Sequence, residues 1–170
     1  MGCVFDTASP LAAPSSSWAT YAPGTMTDST QEIRNLLGEY CERIDLGDFD
    51  GVGALFAHGA LADEHGTVLA AGAEGVSAFY RRGTKLHDGS PRTKHLVSNS
   101  IIEIDDYVGT ALVRSSYLVL QAAPGEALQP IITGRYRDTF ERADGCWRFL
   151  ERRFFVDLMG DLSHHLTFDL

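Results

Sequence analysis

Residues 128–142 read LQPIITGRYRDTFER, and the pattern of this stretch fixes one face of a predicted sheet. From Thr133 onward its odd positions are polar, whereas its even positions include Tyr136 and Phe140. An alternation of period two indicates a β-strand that has one solvated face and one covered face. The covered face also carries Asp138, a carboxylate that needs a polar partner if it is buried.

Three neighbouring segments share this strand character. They are rich in β-branched and aromatic residues and are separated by turn sequences such as Ala143-Asp144-Gly145. Together the segments predict a four-stranded antiparallel meander over residues 94–104, 110–121, 128–142 and 147–157. In the first strand polar residues occur at both parities, so some of them either face inward or lie at a bulge.

Helical patterns precede this meander. Apolar residues from Ile33 to Ile44 recur at helical spacing, and Gly47 ends that helix. Further elements are predicted in this order: a capping box of Ser29 and Glu32, a short second helix capped by Asp50, a hairpin turning at Glu64-His65-Gly66, and a third helix over about 73–82. Helices followed by a meander imply an α+β fold in which the helices cover one face of a curved sheet.

Length, composition and charge limit the possible functions. The 170 residues have the length of one domain, and we expect a disordered or extended arm over residues 1–28 followed by a single domain over residues 29–170. The net charge of −9 would repel nucleic acid and an anionic membrane surface, so neither is expected as a partner. The three cysteines are odd in number and contain no CxxC pair, which fits the reducing cytoplasm where we expect the protein.

Several motifs resemble the SnoaL-like branch of the NTF2-like superfamily over roughly residues 29–168. The matching stretches are Tyr40-x4-Asp45-x-Gly47-Asp48 with Leu55-Phe56, Thr93-x-His95-x-x-x-Asn99, Gly134-x-Tyr136-x-Asp138, Trp147-Arg148-Phe149, and the closing Gly160-Asp161-Leu162-Ser163-x-His165-Leu166. The resemblance implies an α+β cone in which three N-terminal helices pack on a strongly curved, mostly antiparallel sheet. It also implies a pocket on the concave face and a homodimer or homotrimer formed through the sheet.

Tyr40, Asp45 and His95 resemble the Tyr, Asp and His of bile-acid dehydratases in this superfamily, which eliminate water from a hydroxysteroid. The resemblance implies His95 as general base or acid, Asp45 as its orienting partner and Tyr40 as a donor to substrate oxygen. A carboxylate in a last helical turn also opposes the helix dipole, so another interaction should favour Asp45 there. Structural interpretations remain open: a core tyrosine, an aspartate bonded to the next loop, and a strand histidine beside Asn99.

Further side chains are candidates for contact with the substrate, namely Phe56, Phe79, Asn99, Tyr117, Tyr136, Asp138 and Arg152. Asp138 would pair with Arg152 or Arg153, and a purely structural ion pair is the interpretation we favour. His164-His165 lacks the spacing of a metal site and is interpreted as a mobile or packing pair. No metal is therefore expected, and since no nucleotide fingerprint is present, we expect chemistry without a cofactor.

These residues predict a cofactor-independent lyase of the dehydratase type, or a related isomerase or cyclase. Its substrate would be an apolar polycyclic or aromatic small molecule. Two alternatives remain: a non-catalytic NTF2-like protein that binds a hydrophobic small molecule, and a partner akin to the small subunit of a ring-hydroxylating oxygenase. A paired carboxylate and imidazole favour the enzyme, because binding alone does not require that pair.

Overall fold

The computed structural model describes residues 28–168, which form three helices and one six-stranded sheet. The helices are α1 (Ser29–Leu46), α2 (Phe49–Leu55) and α3 (Gly72–Gly83). The strands are β1 (Ala60–Ala62), β2 (Val68–Ala71), β3 (Thr93–Asp105), β4 (Thr110–Gln121), β5 (Gln129–Ala143) and β6 (Cys146–Met159). Apart from its last residue, Asp28, the arm predicted for residues 1–28 lies outside the described residues. None of the helices between residues 28 and 168 is long and apolar enough to cross a membrane.

The sheet extends the predicted meander by a short hairpin. Its strand order is β2-β1-β6-β5-β4-β3, and every pairing is antiparallel except the one between β1 and β6. The helices pack on one face of this curled, unclosed sheet, so the predicted α+β fold with a mostly antiparallel sheet is confirmed. The parallel pairing places β1, the first strand in the chain, beside the last strand β6.

Strand β5 shows the alternation that its sequence predicts. Tyr136, Asp138 and Phe140 are buried, whereas Arg135 and Arg137 are exposed. Gly134, also on the buried face, has no room for a side chain, since a Cβ there would lie 1.9 Å from the carbonyl oxygen of Phe155. The close approach of β6 therefore requires glycine at this position.

A bulge in β3 explains its mixed pattern of polar residues. The pairing with β4 shifts register between Ser98 and Ile101. Asn99 lies inside this shift and has a φ of 52°, in the left-handed region that asparagine tolerates better than most residues. Its side chain is exposed, so Asn99 is accommodated by the irregularity and not by burial.

The N-terminus of α1 differs from the prediction. Asp28 is the N-cap, and its side chain accepts a hydrogen bond from the backbone N–H of Thr30 at 3.1 Å. Ser29, the predicted cap, is already helical, and its hydroxyl donates to Asp106 at 2.6 Å. The capping-box prediction was therefore wrong by one residue, because the extended residue before the first turn is the aspartate. At the other end, Gly47 has a φ of 74° and closes the helix as predicted.

The cap of α2 is also displaced from the predicted residue. Asp48 accepts a hydrogen bond from the backbone N–H of Gly51 at 2.9 Å and so caps the helix. Asp50, the predicted cap, lies in the first turn and accepts a hydrogen bond from the Ser77 hydroxyl at 2.7 Å. This aspartate therefore links α2 to α3 and does not begin the helix.

Candidate active site

A cavity of about 400 Å³ opens between the helices, the concave face of the sheet and the final segment of the chain. Its wall is mainly apolar and aromatic, and includes Ile44, Phe79, Val119, Ile132, Phe154 and Leu166. Polar side chains also line the cavity, chiefly Tyr40, Tyr80, His95, Tyr117, Tyr136 and His165, together with Asp63 and Glu64 from the turn between β1 and β2. An apolar pocket with few polar groups suits a hydrophobic molecule whose orientation is fixed by its oxygen atoms.

Asp45 and His95 meet at one side of the cavity. Asp45 lies in the last turn of α1, and its Oδ1 is 2.6 Å from the Nδ1 of His95 near the start of β3. The backbone N–H of His95 donates to Asp45 Oδ2 at 3.0 Å, and the Thr93 hydroxyl donates to Oδ1 at 2.9 Å. The predicted approach of the carboxylate to the imidazole is confirmed, and three donors from β3 offset the unfavourable helix dipole.

These contacts determine which nitrogen of His95 is available. Burial alone would raise the pKa of Asp45, but the hydrogen bonds and charge of His95 outweigh burial and lower it. The carboxylate is therefore ionised at neutral pH and accepts the Nδ1–H of the ring; in the neutral form of the ring this bond places the lone pair on Nε2. Among residues 28–168, Nε2 has no hydrogen-bond partner. The imidazole side chain is only 8% exposed, and His95 lines the cavity.

Tyr40 lies beside this pair and is bonded to a second tyrosine. Its hydroxyl is 2.7 Å from that of Tyr80, and its ring meets the His95 ring edge-on with centroids 6.4 Å apart. Burial raises the pKa of Tyr40, although the guanidinium of Arg152 opposes this rise. Both hydroxyls are therefore protonated at neutral pH, so the pair retains a proton that it can donate into the cavity.

Asp138 and Arg152 form a buried pair beneath the aromatic wall. Arg152 donates to the two carboxylate oxygens at 2.9 and 2.7 Å, and both side chains are fully buried. The guanidinium carbon lies 4.0 Å from the ring centroid of Tyr40 and 4.1 Å from that of Tyr136. Asp138 and Arg152 were expected to contact the substrate, but neither residue lines the cavity. The guanidinium instead packs against the rings of Tyr40 and Tyr136, which do line it. Arg153, the other candidate partner, bonds to Glu151 instead.

The remaining candidates divide into two groups. Phe79, Tyr117 and Tyr136 line the cavity as expected. Phe56 is placed elsewhere: it is fully buried and stacks on Phe149 with centroids 4.7 Å apart, because its position at the end of α2 faces the core. Asn99 also lies away from the cavity, since the bulge in β3 turns its side chain towards solvent.

Several cavity residues were not among the sequence candidates, and two of them, Tyr80 and His165, carry polar rings. Tyr80 sits on the apolar side of α3, where its pattern indicated only packing. His165 is carried by residues 160–168, a segment that has no periodicity but contains the closing motif Gly160-Asp161-Leu162. Its interpretation as a mobile or packing residue missed its place on the cavity wall. Within residues 28–168, no group of three or more His, Cys, Asp or Glu side chains is arranged to hold a metal ion.

Comparisons with known proteins agree with this architecture. The sequence profile of the SnoaL-like domain family matches residues 25–153. Similar solved structures include Rv3472 of Mycobacterium tuberculosis, a protein of unknown function, with 25% identity, a TM-score of 0.63, and coverage of 76% of this chain and 72% of that chain. An NTF2-like protein with a cystatin-like fold from Novosphingobium aromaticivorans has 20% identity, a TM-score of 0.62, and coverage of 82% and 96%. A candidate scytalone dehydratase from the same organism has 21% identity, a TM-score of 0.60, and coverage of 78% and 86%. No curated protein matches the sequence.

Proposed function

Because the chain belongs to the SnoaL-like domain family, we propose that it is a cofactor-independent lyase of the dehydratase type, or a related isomerase or cyclase. The observation that carries this proposal is the hydrogen bond of 2.6 Å between Asp45 and His95 at the wall of an apolar cavity. A side chain that only packs does not need a buried carboxylate to set the tautomer of its ring.

His95 acts as the general base. Its Nε2 lone pair takes a proton from the carbon next to a substrate carbonyl, and the electrons of that C–H bond move towards the carbonyl oxygen. Asp45 stabilises the imidazolium that forms and holds the ring in one orientation. The carboxylate keeps its charge throughout this step, in agreement with its lowered pKa.

Tyr40 and Tyr80 provide the donor for the oxygen that becomes negative. Since their hydroxyls are linked at 2.7 Å, one can donate to the other while the second donates to the substrate. Collapse of the enolate then forms a carbon–carbon double bond and breaks the bond to the β-hydroxyl group. The leaving group accepts the proton held by His95 and departs as water, which returns the imidazole to its neutral form.

The cavity supports a proposal for the class of substrate. A volume of about 400 Å³ falls in the range of small-molecule pockets, which begins at about 300 Å³. The wall has several aromatic rings and few polar groups, so we propose a fused bicyclic to polycyclic hydroxyketone, held by apolar contact and oriented by its oxygens. A molecule with several charges would lose hydration that this wall does not replace.

A panel of cyclic hydroxyketones, including hydroxysteroids and polyketide-type intermediates, tests the proposal by the absorbance of the conjugated ketone formed when water is lost. With an accepted substrate, His95→Ala should lower kcat by roughly 100- to 10,000-fold with little change in affinity. Asp45→Asn should also lower kcat, because an amide does not stabilise an imidazolium as a carboxylate does. Tyr40→Phe should lower kcat by a smaller factor, since Tyr80 retains a hydroxyl. His58→Ala, an exposed histidine outside the cavity, is the matched control.

The same experiment distinguishes a second function, sequestration of a hydrophobic small molecule without turnover. The largely apolar wall of the cavity is the observation that favours it. That function predicts that His95→Ala, Asp45→Asn and Tyr40→Phe alter affinity in parallel and that the wild-type protein converts no member of the panel. In that case the lyase proposal would have to be abandoned.

A further inference from the structure

We propose that His165 is a second functional histidine of the cavity, a neutral imidazole whose Nε2–H donates a hydrogen bond to an oxygen of the bound molecule. The proposal rests on the proposed function for the kind of molecule that is bound, and it assigns that molecule a donor at the C-terminal end of the chain. His165 would then complement His95, because one ring accepts a proton and the other donates a hydrogen bond.

The backbone on both sides of His165 is fixed. Its N–H donates to the carbonyl oxygen of Leu162 at 2.9 Å, and its own carbonyl accepts from the N–H of Lys85 at 2.7 Å. The next residue, Leu166, forms a β-bridge with Thr84 just after α3. These bonds join the final segment to the helical side of the cavity and hold the imidazole at its wall.

The surroundings of the two ring nitrogens differ. Nδ1 is shielded from solvent and has no hydrogen-bond partner among the described residues, 28 to 168. A buried N–H without a partner is rarer in proteins than a buried acceptor without one, so the proton belongs on Nε2. Nε2 is also unbonded within the described part of the chain but is not shielded, which leaves this nitrogen for a bound molecule.

The ring is also electrically neutral at physiological pH. Burial is the main cause that lowers the pKa of His165 to about 4; His95 and His87 contribute in the same direction, and Asp45 opposes them. These groups face His165 from β3, from α1 and from the loop after α3. A neutral donor beside an apolar wall binds a carbonyl oxygen without bringing a formal charge into the cavity.

Two bicyclic probes of matched shape test the donor. 1-Tetralone carries a carbonyl oxygen and tetralin does not, so the ratio of their affinities measures hydrogen bonding to that oxygen. His165→Phe keeps an aromatic ring of similar size. It should lower the affinity for 1-tetralone by about two- to tenfold and leave the affinity for tetralin unchanged. His164→Phe changes the neighbouring exposed histidine and should affect neither probe. Equal effects on both probes, no effect of His165→Phe, or no preference of the wild-type protein for 1-tetralone would overturn the proposal.

Nitrogen-15 NMR of the histidine rings gives an independent result on the unmodified protein, which keeps the proposal falsifiable if His165→Phe does not fold. We expect the Nε2–H tautomer of His165 at neutral pH, no protonation above about pH 5.5, and a shift of Nε2 when 1-tetralone is added. An Nδ1–H tautomer or a ring charged at neutral pH would refute the assignment. Neither the binding test nor the NMR test requires turnover, so their failure is separate from failure of the lyase proposal.

Discussion

Asp45 stands where a helix least favours a negative charge, and the chain places three donors of β3 against it. The bonds from the His95 ring, the His95 backbone and the Thr93 hydroxyl therefore offset the dipole of α1 and also orient the imidazole. The stability of the helix end and the availability of Nε2 depend on the same contacts. A substitution at Asp45 is expected to affect both.

The low pKa of His165 makes the stability of the fold depend on pH in a defined window. The unfolded chain protonates this histidine near its ordinary pKa of about 6.5, whereas the folded protein does so only at about 4. As the pH falls through this interval the unfolded state binds more protons, and the wild-type protein loses free energy of unfolding, by about 3 kcal/mol from this residue.

Urea denaturation of the wild-type protein and of His165→Phe, each at pH values from about 7 to 4, measures this contribution. The wild-type protein should lose more free energy of unfolding across the interval than the variant does. Parallel curves for the two proteins would show that the folded and unfolded states protonate His165 alike.

Among individual residues, the sequence predicted those whose spacing carries chemical meaning. Tyr40, Asp45 and His95 were identified from motifs, and the helix-dipole argument correctly required a partner for Asp45. His165 was missed because no periodicity describes the final segment, and its position depends on tertiary contacts with the end of α3. Asn99 was misplaced because a bulge changes the direction of a side chain without changing the sequence pattern.

Among the elements, β5 and β6 are joined at their centre by the buried pair of Asp138 and Arg152, which are direct register partners. Removing one member of such a pair leaves an uncompensated buried charge. We expect Asp138→Asn to lower the free energy of unfolding by about 3–5 kcal/mol. The double variant Asp138→Leu with Arg152→Met should lose much less free energy of unfolding, since neither charge remains.

Chemical denaturation of the two proteins provides the comparison. If the double variant were as unstable as the single one, the pair would act through the packing of Arg152 against Tyr40 and Tyr136 and not through charge compensation. That result would also weaken the conclusion that Asp138 and Arg152 stabilise the fold without a part in the cavity.

The long strands were predicted almost to the residue because alternation and turn sequences are local signals. Residues 110–121 form β4 as predicted, and the other three strands differ from the prediction by one or two residues at each end. The parallel pairing of β1 with β6 was not predicted, since it joins segments about ninety residues apart in the chain. Both helix caps were assigned to the wrong residue because several candidate aspartate and serine side chains precede each helix.

For the whole molecule, the family resemblance implies assembly through the sheet, and a homodimer or homotrimer stays a prediction. Light scattering coupled to size-exclusion chromatography should give two or three times the chain mass of 18.5 kDa. Because α1, α3 and the final segment all lie at the cavity, assembly through the opposite face of the sheet should leave 1-tetralone affinity independent of protein concentration. A mass of one chain would contradict the predicted assembly.

We propose that His95, held by Asp45, removes a proton from the carbon next to a carbonyl group inside the cavity. The most direct measurement is the exchange of those hydrogens of 1-tetralone for deuterium in heavy water, followed by proton NMR. We expect exchange to be roughly 100-fold or more faster with the wild-type protein than with His95→Ala, and the rate to be unchanged with His58→Ala. Equal exchange by the wild-type protein and His95→Ala, when both bind 1-tetralone, would contradict the role of His95 as the base.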